Sequence, residues 1–249
     1  MISIFEDIES EISKTFTQKF SSQKDIAVNL LGVYESFLKA TSGKVKDNDY
    51  PRWTVLILLS QTLPLMTNAL DLLARGYLRS SEILIRVASE GMILAAYFTE
   101  FPEAEQEFRA LNYRDFFHKH KIDDMLKRVE KEGKILLSNK KRAKQVKWHK
   151  VVFNSLYQES SRFLHHNLDL IYNIALDQLG ADKDKGNLIL GPQLYTDNVL
   201  SMGLRRILNA TLFSLVVLGV SLKIIPDDDE KGVMERSQKV IEDLNKQDK

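Results

Sequence analysis

Apolar residues recur at three- and four-residue steps along most of the chain, which is the period of amphipathic helices rather than of strands. The first apolar stripe predicts a helix that ends near Ser21-Ser22, and a second helix follows from about Asp25 to Ser42-Gly43. The remaining predicted helices cover about 52–75, 80–100, 102–133, 151–179 and 196–225. Proline at 64 predicts a kink, and Ser80 or Ser81 is a candidate N-cap.

These patterns predict an all-α fold, a single-domain bundle of about seven helices with long central antiparallel helices. The short connection at Gly76 favours antiparallel packing of the two central helices. The expected organisation is one helical domain over 1–225, made of an N-terminal helix pair (1–50) and a core bundle (52–225). The remaining residues, 226–249, are predicted to form a charged, partly disordered tail.

The composition is consistent with a large core in a reducing compartment. Of the 249 residues 44% are apolar, and no cysteine is present, which excludes disulfides and a cysteine nucleophile. The first residues lack a basic leader and an apolar run, so we expect no secretory signal and a cytoplasmic protein. Two uncharged stretches, Trp53 to Leu70 and Ile207 to Leu222, are short and carry polar residues, so we expect buried bundle helices and no membrane contact.

Positive charge is concentrated before the sixth predicted helix. Lys119 to Lys150 carries twelve basic and four acidic residues, whereas the whole chain has a net charge of +1. The basic residues of 138–150, beside an aromatic side chain that could stack on a base, form the candidate anion-binding set Lys140, Lys141, Arg142, Lys144, Lys147, Trp148 and Lys150. The segment therefore predicts either nucleic-acid contact or a solvated connector.

Standard catalytic motifs are absent from the sequence. There is no phosphate-binding glycine loop, no paired-histidine metalloprotease helix and no glycine-flanked nucleophilic serine. His165 and Asp169 could share a helix face, but two ligands do not form a metal site. We therefore predict no metal and no cofactor.

One short motif suggests metal-independent RNA cleavage. Arg114-Asp-Phe-Phe-His-Lys-His120 resembles the arginine and histidine motif of HEPN ribonucleases, which are helical dimers. The resemblance implies that His120 moves the proton of a 2′-hydroxyl while Arg114 stabilises charge on the phosphate. Arg142 and His149 also fall within the four to six intervening residues that the motif allows. The alternative is that Arg114 and His120 lie on the polar face of a helix.

A second resemblance covers roughly residues 55–180. Helical segments with an arginine and a glutamate four apart, a following Pro-Glu, and a tyrosine, serine and histidine spaced by four are similar to a bacterial family known only as a domain of unknown function. The matching positions are Gly76, Arg86, Glu90, Pro102-Glu103, Tyr157, Ser161 and His165. His166-Asn167 stands where that family would carry a proline, and the family lends no activity.

Helical geometry places Tyr157, Ser161 and His165 in one slanted row, and it places Arg86 on the same face as Glu90. We hypothesise that these five residues form one polar cluster at a helix interface, which either fastens the bundle or binds a ligand.

Two functions follow from the sequence. The first is a non-catalytic helical interaction or accessory protein, in a bacterial stress or phage-defence setting by analogy. The alternative is a HEPN-like endoribonuclease that acts as a dimer. The partners considered are a second copy of the chain and a nucleic acid bound through 138–150.

Overall fold

The computed structural model describes residues 2–41, 43–46, 48–111, 113–132, 149–158 and 195–247. Nine helical segments and no strand occur in these ranges, which confirms the all-α prediction. The helices are α1 (Ile2–Lys39), α2 (Tyr50–Ala74), α3 (Leu78–Glu100), α4 (Pro102–Ala110), α5 (Tyr113–Lys119), α6 (Ile122–Glu132), α7 (His149–Gln158), α8 (Asp197–Leu222) and α9 (Asp228–Gln247). Of these, α7 has the wider π-helical geometry.

The centre of the bundle is the predicted antiparallel pair, α2 and α3, with α8 packed against both. A tight turn reverses the chain between α2 and α3, and Gly76 adopts φ +84° there, a conformation that glycine accepts without a steric penalty. The backbone amide of Tyr77 donates to the carbonyl of Leu72 at 2.8 Å and closes the turn. Large apolar side chains from all three helices, including Leu73, Ile85 and Leu204, are fully buried.

The helix expected over 102–133 consists of three shorter helices in the structure. After α4 the backbone of Leu111 is extended (ψ 156°), and α5 and α6 then fold back toward α3. Aromatic packing accounts for the break, because the ring centroids of Phe108 and Phe116 lie 5.0 Å apart and both rings pack against Phe98. A continuous helix would carry Phe116 away from this cluster.

The N-terminal end of the chain agrees with its prediction, whereas the C-terminal end differs from it. The expected N-terminal pair of helices is present within α1, because two helices meet there at a kink at Phe20 (φ −122°, ψ 22°), one residue before the predicted end at Ser21-Ser22. The expected tail contains α9, which packs on α1 and α8 and buries Ile241 and Leu244. Reciprocal hydrogen bonds between Asp227 and Glu230 cap its N-terminus.

One local prediction within the central pair, the N-cap of α3, is wrong. Neither Ser80 nor Ser81 caps α3, which begins at Leu78, and the Ser81 hydroxyl instead donates to the Ala69 carbonyl of α2 at 2.8 Å. Pro64 lies inside α2, which continues through it as one helix.

Candidate functional site

Three residues of the predicted polar cluster lie together between α3 and α7. The Arg86 guanidinium contacts Glu90 with Nη1 to Oε1 at 2.7 Å, and its central carbon lies 3.3 Å from the centroid of the Tyr157 ring. Arg86 is buried and Glu90 is partly buried, so both contacts form in surroundings of reduced polarity. Charge pairing and cation–π stacking therefore hold the same guanidinium.

Packing of α7 explains how Tyr157 reaches α3. Val152 and Leu156 on α7 are buried in the core, which fixes the orientation of this short helix. Tyr157 follows Leu156 and is half-buried over α3. Burial raises the pKa of the Tyr157 hydroxyl, the positive charge of Arg86 opposes that rise, and the negative charge of Glu90 adds to it. The phenol is therefore neutral at physiological pH.

Ser161 and His165, the remaining members of the predicted cluster, lie outside the described residues. The five-residue cluster as a whole therefore remains a prediction. As placed, the three residues fasten α3 to α7, because the Arg86 guanidinium of α3 stacks on the Tyr157 ring of α7 while it pairs with Glu90.

A second polar contact, which the sequence analysis missed, lies one turn closer to the N-terminus of α3. Glu82 and Arg206 of α8 are both buried, and Nη1 of the arginine lies 2.6 Å from Oε1 of the glutamate. Glu82, Arg86 and Glu90 are four residues apart, so they form one polar row along the inner side of α3. One feature of the sequence could have predicted this contact. Arg206 is a charged residue followed by apolar residues on a helix expected to be buried, so it needs a buried partner.

The two candidate ribonuclease residues make different contacts. The exposed Arg114 contacts His118, with Nε to Nε2 at 3.4 Å. His120 is mostly buried, stacks on Phe116 with centroids 4.6 Å apart, and its Nε2 lies 2.9 Å from Oε2 of Glu107. Within the described part of the chain, no hydrogen bond joins Arg114 to His120.

The basic candidates at 140–148 lie outside the described residues, and Lys150 is described only through the backbone of α7. Nucleic-acid contact through 138–150 therefore remains a prediction. Within the ranges that the structure covers, no group of three histidine or carboxylate side chains is arranged to hold a metal ion.

The outer face of α2 is apolar and exposed. Tyr50, Trp53 and Ile57 are 54%, 37% and 56% exposed, and the spacing of three and four residues places them within about 60° of the helix circumference. By length and composition α2 and α8 could each cross a membrane, yet 67% of the apolar window of α8 is buried in the bundle against 33% for α2. Core packing thus explains the apolar character of α8 but only part of that of α2.

Comparison with protein-family models, curated proteins and solved structures gives no match to this chain. The fold alone defines the class: an all-α helical bundle with a buried polar row along α3 and an exposed apolar face on α2.

Proposed function

We propose that this protein is a non-catalytic interaction protein that associates with a second copy of itself through the outer face of α2. The observation that carries the proposal is the exposure of Tyr50, Trp53 and Ile57 on a helix with no charged residue from Trp53 to Leu70. Clustered exposed apolar side chains are typical of protein interaction surfaces, and tryptophan and tyrosine contribute strongly to binding.

Several polar groups on the outer face of α2 already form hydrogen bonds within the protein, so another surface can cover them. The Trp53 ring is held in place because its Nε1 donates to the Lys46 carbonyl at 3.0 Å. The hydroxyls of Ser60 and Thr67 already donate to the carbonyls of Ile57 and Leu63 in their own helix. Covering these two hydroxyls would therefore leave neither without a hydrogen bond, whereas the exposed amides of Gln61 and Asn68 on the same face must pair with polar groups of the partner.

A second copy of the chain fits this face by its charge pattern. In a two-fold antiparallel pair of α2 helices, the uncharged segments meet along their length and each N-terminus lies near the other C-terminus. Arg52 of one copy then approaches Asp71 of the other, and both side chains are exposed. Opposite charges at both ends of an uncharged contact favour this register.

Association is tested by light scattering coupled to size-exclusion chromatography over a range of protein concentrations. We expect the wild-type chain to dimerise and Ile57→Glu to be monomeric, because the dimer would bury the new charge. Val28→Glu is the matched control, since Val28 is 50% exposed on α1, away from the α2 face. A monomeric wild type would contradict the proposal, and so would equal dissociation of the Ile57→Glu and Val28→Glu dimers. Binding of a monomeric wild type to phospholipid vesicles that Ile57→Glu abolishes would also contradict it.

The non-catalytic part of the proposal is tested with RNA. The wild-type protein is incubated with single-stranded RNA in chelator, beside Arg114→Ala and His120→Ala. We expect intact RNA in all samples because Arg114 and His120 are engaged with different partners. Cleavage by the wild type that both substitutions abolish would replace this proposal with the ribonuclease alternative.

A further inference from the structure

A cavity lies where the loop before α2, the first turn of α2 and the end of α8 meet. Its volume is about 270 Å³, and it is lined by Lys44, Arg52, Ser221, Leu222 and Lys223. Three of these five residues are cations and none is an acid. The cavity is therefore electropositive, and Ser221 adds a hydroxyl group to its wall.

Within the described ranges, a carboxylate pairs with only one of the three cations. In the part of the chain that the structure describes, neither Lys44 nor Lys223 forms an ion pair with a carboxylate, whereas Arg52 pairs with Asp49 at 2.9 Å. Two lysines thus line one cavity without a carboxylate partner among the described residues, an arrangement that favours a bound anion.

Lys223 also occupies a backbone position that is unusual for a lysine. Lys223 follows the last turn of α8 with φ 54° and ψ 43°, and it is the only non-glycine residue with positive φ in the described ranges. Glycine or asparagine normally occupies such a position, because other side chains are strained in this conformation. Attraction to the carbonyl end of α8 favours a lysine nearby, but it does not require one at the strained position itself.

We propose that this cavity binds a phosphate group, either free or as the monoester of a small molecule. The Arg52 guanidinium presents parallel donors that match a phosphate, the two lysines supply charge, and Ser221 can donate one hydrogen bond. The volume lies just below the roughly 300–1,000 Å³ of pockets that enclose drug-sized ligands, so the site accepts a small phosphate species. Lys44, Ser221 and Lys223 take no part in the proposed α2 pairing, and Arg52 is the one lining residue that the two sites share.

The test is calorimetric titration of the full chain with inorganic phosphate at constant ionic strength. We expect saturable binding, and about a tenfold or larger rise in Kd for both Lys44→Gln and Lys223→Gly, because each change removes a charge-assisted hydrogen bond. Lys246→Gln is the control, since Lys246 is exposed at the end of α9 and pairs with Asp243.

Thermal unfolding without phosphate separates loss of binding from loss of folding. Lys223→Gly should unfold at the same or a higher temperature than the wild type, because glycine suits the left-handed conformation. The absence of saturable phosphate binding by the wild type would overturn the proposal, and so would unchanged binding in both cavity variants or equal weakening in Lys246→Gln. Titration with glycerol 3-phosphate distinguishes the two sources, since tighter binding than that of inorganic phosphate assigns the site to monoesters.

Discussion

At the scale of single residues, Arg86 is held by two contacts of different physical origin. Its pairing with Glu90 is electrostatic between full charges, whereas its stacking on Tyr157 uses the negative face of the aromatic ring. The stacking joins two separate helices, and the ion pair lies within α3. Loss of the ring should therefore weaken the α3–α7 contact even when Glu90 remains.

A double-mutant cycle measures that stacking. Arg86→Met and Tyr157→Leu should each lower the free energy of unfolding. The decrease in the double variant should be smaller than the sum of the two single decreases by about 1 kcal/mol. Tyr157→Phe, which keeps the ring, should retain most of this coupling. The measurement is urea unfolding of the wild type and the variants, and strictly additive losses would show that the stacking contributes nothing.

The buried pair of Glu82 and Arg206 should behave differently from a surface pair. Removing one partner leaves a buried charge, so Glu82→Gln should lower the free energy of unfolding by about 3–5 kcal/mol. The double variant Glu82→Met with Arg206→Met should be more stable than Glu82→Gln. Glu35→Gln, which breaks an exposed pair with Lys39, is the control and should change stability by about 0.5 kcal/mol or less in urea unfolding.

Glu107 adds a pH dependence to stability. Hydrogen bonds from Lys119 and His120 hold the pKa of Glu107 below its ordinary value of 4.5. The stabilisation of the fold by ionised Glu107 is therefore present above about pH 4.5. It is lost as the pH falls through the lower pKa that Glu107 has in the folded state. Thermal unfolding from pH 7 to pH 3 should show a smaller decrease in Glu107→Gln than in the wild type, and identical profiles would contradict this assignment.

At the scale of helices, α8 approaches α2 closely at Gly203. A Cβ atom added there would lie 2.8 and 2.9 Å from the two methyl groups of Leu73, which is fully buried and has little room to move. Gly32 on α1 is a contrasting position, because no other group lies within 4 Å of an added Cβ. The same substitution should therefore have opposite effects at these two glycines.

Gly203→Ala should lower the free energy of unfolding by about 1 kcal/mol, because overpacking costs about 1–3 kcal/mol and the gain in helix propensity offsets part of it. Gly32→Ala should raise the free energy of unfolding by about 0.5–1 kcal/mol. Chemical denaturation of the two variants and the wild type checks both signs. Stabilisation by both substitutions would mean that α8 can move away from Leu73.

Helical periodicity predicted the central elements well and the peripheral ones poorly. The α2–α3 pair and α8 emerged from long apolar segments and the stop at Gly76, since these signals are local in sequence. The break between α4 and α5 depends on rings distant along the chain, such as Phe98 and Phe116, which local patterns do not relate. Among candidate site residues, spacing related Arg86 to Glu90 on one helix, but it contained no information linking Glu82 to Arg206.

At the scale of the whole molecule, α9 joins the two ends of the chain. It packs against α1, the first helix, and against α8, so its buried side chains contribute to the stability of the whole bundle. Its high charge conceals this role in the sequence, because only a narrow apolar stripe is present on an otherwise polar helix.

Leu244→Ala should lower the free energy of unfolding by about 2–4 kcal/mol, because it removes most of a fully buried side chain and leaves a cavity. Lys239→Ala, an exposed position on the same helix, should change it by about 0.5 kcal/mol or less. Urea unfolding distinguishes the two variants, and a negligible effect at Leu244 would show that α9 is dispensable for the fold.

The buried contact between Glu82 and Arg206 also constrains how this protein can change over evolutionary time. Either single replacement leaves a stranded charge in the interior, whereas exchanging both for apolar residues does not. Homologous proteins should therefore carry the acid and the base together or lack both. Such paired inheritance would link two positions more than a hundred residues apart and would identify distant relatives even where the rest of the sequence has diverged.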